Sequence, residues 1–168
     1  MIENDNVVSA KPRGHFDRTA KGKEVSAVTV AVERGRVRFF SQTLGEEDKV
    51  HLDLAFARAA GHPDLIAPPT FFMVLEAIAN EALSERGEQS ARDLIACDYR
   101  YLLHGDESYT YHGLLYAGDE VSFTTKVLDF YEKKGGAMEF VTLESSVSHA
   151  ERGLLISANR TLLHRFPD

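Results

Sequence analysis

The chain has 168 residues, with 19 lysines and arginines against 26 aspartates and glutamates, a formal net charge of −7. One domain with a core large enough to need no staples fits this length, and 43% hydrophobic with 27% charged residues excludes wholesale disorder. The acidic balance argues against nucleic acid as the main partner, and a single cysteine, Cys97, excludes an internal disulfide or a multi-cysteine zinc site. In chain order, Met1 to Lys23 is polar, carries Pro12 and Gly14, and reads as an N-terminal arm before a single domain over residues 24–168. Met1 to Asn6 is polar and acidic, and Val7-Val8 is too short for a signal-peptide core, so a cytoplasmic location is expected. The β-branched run Val25 to Val32 predicts a strand.

From Glu33 the period changes. Val37, Phe40 and Leu44 lie three and four apart and Gly45 is a natural stop, so Glu33 to Leu44 predicts a helix, followed by a shorter one over Asp53 to Ala60 that ends at Gly61. Pro68 to Arg86 carries the strongest helical signal. Pro69 can take a first-turn position where its missing N–H costs nothing, and Gly87 can cap the end. Phe71 to Leu75 are all apolar, which predicts first turns enclosed on every side. Glu76, Asn80 and Glu81 exclude a membrane span there.

The last third is strand country. Cys97 to Leu103 predicts one strand, and Val121, Phe123 and Val127 alternate with polar residues in the next. Lys133-Lys134-Gly135-Gly136 predicts a hairpin turn into the alternation of Val141, Leu143 and Val147, and Glu151-Arg152-Gly153 turns the chain again into Leu154 to His164. One enclosed helix followed by an antiparallel meander is an α+β layout.

Several residues could carry chemistry. Imidazole is the natural general base for water near neutral pH, and a nearby carboxylate can hold the same water or stabilise imidazolium; His51 and Glu46 could form such a pair. The competing reading is that His51 is an exposed loop histidine and Glu46-Glu47-Asp48 a solvated acidic cluster. His51-x-Asp53 with a distant histidine could form a facial triad for non-haem iron, a pattern easily met by chance among seven histidines. His104, Asp106 and His112 read as turn and strand-end hydrogen bonding, and Cys97 as a buried small residue.

Leu44-Gly45-Glu46-Glu47-Asp48-Lys49-Val50-His51-Leu52-Asp53, then Gly61-His62-Pro63-Asp64-Leu65-Ile66-Ala67-Pro68-Pro69-Thr70-Phe71, resembles the hydratase segment of the MaoC-like (R)-specific enoyl-CoA hydratases. With Leu102-Leu103-His104-Gly105-Asp106, Tyr111-His112 and Ala117-Gly118-Asp119, the set is most similar to their FAS1-like dehydratase branch, from about Glu24 to Arg165. The resemblance implies a hot-dog fold, a long central helix wrapped by a curled antiparallel sheet, working as a dimer. It implies hydration of 2-enoyl thioesters, or the reverse dehydration of 3-hydroxyacyl thioesters, on coenzyme A or acyl-carrier protein. No metal or other cofactor is implied, nor a nucleic acid or membrane partner.

Carried over by position, His51 falls on the family histidine and would be the general acid/base, and Glu46 falls on the family aspartate with one extra methylene. Asp48 falls where asparagine is usual. The glycine whose N–H would polarise the thioester carbonyl falls on Pro69, which has none, leaving the neighbouring Thr70 N–H as the candidate contact. These departures suit an alternative role, a non-catalytic acyl-binding or stabilising subunit paired with another hot-dog chain. The assembly would thus be a homodimer or a heterodimer.

Overall fold

The computed structural model describes residues 15–166. Among them are five strands, β1 (Val28–Ala31), β2 (Leu102–Tyr111), β3 (Glu120–Lys133), β4 (Met138–His149) and β5 (Gly153–Arg165). The helices are α1 (Arg34–Leu44), α2 (Leu54–Ala59), α3 (Phe72–Glu85) and α4 (Ala91–Leu94). No helix among the described residues is long and apolar enough to cross a membrane.

Period-two alternation in the last third becomes a meander of β3, β4 and β5, every pairing antiparallel. Gly135 and Gly136 turn β3 into β4 at φ 64° and 94°, a region that suits residues without a Cβ. β1 adds to β3 and β2 to β5, so the sheet order is β1-β3-β4-β5-β2. Val121, Phe123 and Val127 of β3, Val147 of β4 and Ile156 of β5 point inward. Across this face lies α3, burying Phe72, Leu75, Ala79 and Leu83 at helical spacing. The arrangement is the hot-dog fold, and the α+β expectation holds.

Both long predicted helices end as their glycines suggest. Gly45 takes φ 71° and the Glu46 N–H reaches back to the Ser41 carbonyl. Gly87 takes φ 67°, with the Glu88 N–H on the Leu83 carbonyl. Each is a Schellman closure, in which a left-handed residue lets the last carbonyls find donors.

Four expectations need correction. α3 starts at Phe72, not Pro68, because Thr70 sits at φ 67° and the Phe71 N–H closes a turn on the Pro68 carbonyl; Pro69 is therefore outside the helix. Enclosure is not all-round either: Phe71 and Phe72 are fully buried, but Met73 and Val74 are half-buried. The expected Val25–Val32 strand shortens to Val28–Ala31. The strand expected over Cys97 to Leu103 starts only at Leu102. Asp98 takes the Arg100 N–H on its side chain while its carbonyl accepts from the Tyr101 N–H, which makes a turn there.

Of the expected arm, Met1 to Gly14 lies outside the described residues. From His15 the chain is laid against the sheet, with Phe16 and Ala20 buried beside Ile95, Val127, Val141, Leu143 and Leu162.

Candidate functional site

A cavity of about 460 Å³ opens beside the start of α3. Its wall is made by Val50-His51, by the strip Ile66 to Phe72 without Thr70, by Tyr111 at the end of β2 with the following His112 to Leu115, and by Ile156 of β5. That volume suits a drug-sized small molecule. Local pairings hold the wall together. The Ala67 N–H donates to the Leu115 carbonyl at 2.8 Å and the Ala117 N–H to the Leu65 carbonyl at 2.9 Å, so residues 65–67 are strapped to residues 115–117. The Ile66 N–H bonds the Val50 carbonyl, tying the histidine loop to the same strip. Arg34 grips the Asp64 carboxylate at its entry, and that hydrogen bond holds the Asp64 carboxyl below the usual range.

His51 closes a short 3-10 turn (Lys49–His51) capped by the Asp48 side chain, which accepts the Val50 N–H. Its Nδ1 lies 2.7 Å from the Ile66 carbonyl oxygen. A carbonyl only accepts, so Nδ1 carries the proton of the neutral ring and Nε2 keeps the lone pair. This is the tautomer a general base needs.

Of the other expected site residues, Pro69 lines the cavity beside His51. Thr70 sits between lining residues and directs its N–H to the Tyr111 hydroxyl at 3.2 Å. Glu46 and Asp48 are placed elsewhere. The Glu46 carboxylate folds back on its own loop, where Oε1 accepts from the Glu47 and Asp48 amides at 3.0 and 3.1 Å. Asp48 is exposed and spent on its cap. Among the described residues, no aspartate or glutamate lines the cavity.

Asp53, the second half of the iron pattern, caps α2 through the Ala55 and Phe56 amides. Among the described residues no three His, Cys, Asp or Glu side chains gather as a metal site. Burial pushes the Cys97 thiol up to about 11, so it is protonated near neutrality. His104 and Asp106 belong to β2 and do not line the cavity. His112 does line it, sharing a 2.8 Å hydrogen bond between Nε2 and the Ser157 hydroxyl. Nothing local in the sequence marks Tyr111 and His112 as site residues, because β2 is exposed on both faces and the polar stretch reads as a loop.

The family model for the FAS1-like dehydratase domain region matches residues 19–155. A UPF0336 protein of Clavibacter michiganensis is 35% identical over 143 residues, covering 85% of this chain and 91% of that protein. Among solved structures, a chain of the HadBC (3R-hydroxyacyl-ACP dehydratase) complex from Mycobacterium tuberculosis superposes with a TM-score of 0.68 at 18% identity. The match covers 86% of this chain and 96% of that one. The (R)-hydratase of A. caviae involved in PHA biosynthesis superposes with a TM-score of 0.59 at 15% identity, over 88% and 96% of the two chains.

Proposed function

The chain belongs to the FAS1-like dehydratase family, and from that membership we propose that it binds 2-enoyl or 3-hydroxyacyl thioesters as the acyl-binding subunit of a two-chain hydratase/dehydratase. The observation that carries this reading is the cavity wall. It is apolar along Phe71, Phe72, Leu115 and Ile156, as an acyl tail requires, yet among the described residues it holds no carboxylate to pair with His51. Glu46 is occupied by two backbone amides of its own loop. Pro69 offers no N–H where the resemblance expects the carbonyl donor, and loss of one such donor costs roughly 10²–10³ in rate. The HadBC structure with the same fold is itself a complex.

A second reading, a self-sufficient hydratase, is favoured by one feature, the free Nε2 of His51. In that reaction Nε2 takes a proton from water as its oxygen bonds C3. The C2–C3 electron pair moves toward the thioester carbonyl as an enolate, and C2 recovers a proton from the imidazolium. The atoms balance with no cofactor.

Hydration assays separate the two. The purified chain alone should turn over 2-enoyl-CoA at no more than a trace rate. Co-expression with a hot-dog chain that carries an intact Asp-x4-His should restore activity. Enzyme-like turnover by the chain alone, abolished in His51→Ala and kept or raised in Glu46→Asp, would establish the second reading instead.

A further inference from the structure

The cavity wall contains a hydroxyl with no role in the reading above. Tyr111 ends the edge strand β2 and is 48% exposed. Its oxygen accepts the Thr70 N–H at 3.2 Å. A phenol that accepts still has its own proton to give, and among the described residues no acceptor takes it. The ring is positioned by its neighbours: Tyr111 stacks on Tyr109 with centroids 6.2 Å apart, and Tyr109 meets the Phe72 edge at 5.4 Å and donates its own hydroxyl to Glu107.

Around Pro69 the nearest donors are spent, and among the described residues the first free main-chain amide is that of Phe72, at the start of α3. Pro69 has no N–H, the Thr70 amide goes to Tyr111, and the Phe71 amide goes to the Pro68 carbonyl at 3.1 Å. The His51 Nδ1–H goes to Ile66. Thr70 is a β-branched residue at φ 67°, a conformation uncommon for its type.

We propose that the Tyr111 hydroxyl receives the thioester carbonyl of the bound acyl ligand, with the Thr70 N–H polarising the phenol from behind. The chain of bonds runs N–H to O–H to O=C. A hydroxyl that already accepts donates more strongly, which is the cooperative gain of linked hydrogen bonds. The relay supplies through a side chain what Pro69 denies through the backbone. No covalent bond changes. The inference rests on the acyl-thioester reading of the cavity.

Calorimetric titration tests it with two ligands, 2-hexenoyl-CoA and the thioether S-hexyl-CoA, which lacks the carbonyl. The full chain is used in the assembly in which it purifies. Wild type should prefer the thioester by roughly 5- to 10-fold, the worth of one neutral hydrogen bond. Tyr111→Phe should erase that preference by weakening the thioester alone, with an unchanged melting curve. A carbonyl-¹³C thioester provides a readout that needs no variant: its C=O stretch should move to lower frequency on binding to wild type.

Equal binding of both ligands to wild type would overturn the Tyr111 role while leaving the acyl cavity standing, and so would an unshifted carbonyl stretch. The carbonyl would then be left to solvent. A thioester preference and a carbonyl shift that persist in Tyr111→Phe would overturn the role as well, and assign the carbonyl to a main-chain amide such as that of Phe72. Tighter thioester binding by Tyr111→Phe would also overturn it, because the phenol would then be a plug that the carbonyl displaces from Thr70. Failure of either ligand to bind would remove the acyl reading itself, and Tyr111 with it.

Discussion

Glu76 occupies a position on α3 where the buried stripe calls for a hydrophobe, and it is only 5% exposed. Its partner is Arg160 of β5, 2% exposed, which grips it with both terminal nitrogens while the guanidinium lies 5.5 Å from the Phe72 ring centroid. Arg92 approaches the same carboxylate at 3.7 Å and Glu107 approaches Arg160 at 3.9 Å, so two cations meet two anions. Burying such charges costs several kcal/mol per ion, and close pairing offsets most of it. The group joins α3, α4, β2 and β5 directly behind the cavity wall at Phe72. Removing one member should therefore hurt far more than removing both. Glu76→Ala should lower stability by about 3–5 kcal/mol, because it strands the Arg160 charge. The pair replacement Glu76→Leu with Arg160→Met should recover most of that loss. Urea titrations of the two variants check this, and a Glu76→Ala loss below about 1 kcal/mol would mean that the Arg160 charge is not stranded, with Glu107 or solvent taking it over.

Much of the architecture was legible because its signals are local. The α1 and α3 stops at Gly45 and Gly87, and the Gly135-Gly136 hairpin, depend on left-handed residues that stand out in the sequence. Other features depend on distant contacts or on which faces the fold leaves exposed. β2 is exposed on both faces along most of its length, so its sequence lacks the alternation that marks a half-buried strand. The Ser90-x-x-Asp93 capping box that starts α4 is, by contrast, a local signal like the glycine stops. At the site, His51 could be located from its neighbours, but the fate of Glu46 could not. Whether a carboxylate reaches a cavity or caps its own loop is decided by chain direction after Gly45. Glu139 shows the same dependence, since nothing local marks its role. Burial on β4 pushes its carboxyl up, but the Phe16 N–H at 3.0 Å, His15 and Arg18 outweigh this and hold it below the ordinary range. A carboxyl depressed in the folded state contributes stability that is present above its ordinary value and lost as pH falls through the depressed one. The segment from His15 to Ala20 should therefore loosen in acid. Hydrogen exchange should show protection of the Phe16 amide near neutrality that fades below the ordinary glutamate range, after correction for intrinsic rates. Glu139→Gln should lack the pH-dependent part, and protection constant with pH in wild type would show that apolar packing alone holds the segment.

The sheet has two unequal borders, and the difference has consequences for assembly. β1 presents four residues, whereas β2 presents ten. A long unpaired edge is a template for another strand, and proteins usually blunt it with proline, lysine or a bulge. β2 has one irregularity, between His104 and Glu107, where Gly105 passes so close to β5 that an added Cβ would lie 2.9 Å from the Thr161 carbonyl oxygen. Beyond it, Glu107 to Tyr111 runs in unbroken register with Arg160 to Ile156 and contains neither proline nor lysine. Tyr111 and Leu114, both nearly half exposed, stand at the end of this stretch and on the cavity wall. A second hot-dog chain pairing with β2 would complete the ladder and cover that wall in one step, which is the arrangement an acyl-binding subunit needs. The chain should accordingly have the mass of two subunits in light scattering at micromolar concentration, either with itself or with a second hot-dog chain. In hydrogen exchange, alternate amides of residues 107–111 should be protected in the assembled state and should lose that protection on dilution, because a strand turns every other N–H outward. A monomer whose β2 amides exchange alike at all concentrations, with no second chain co-purifying, would show that this edge is not an interface and would remove the two-chain reading of the cavity.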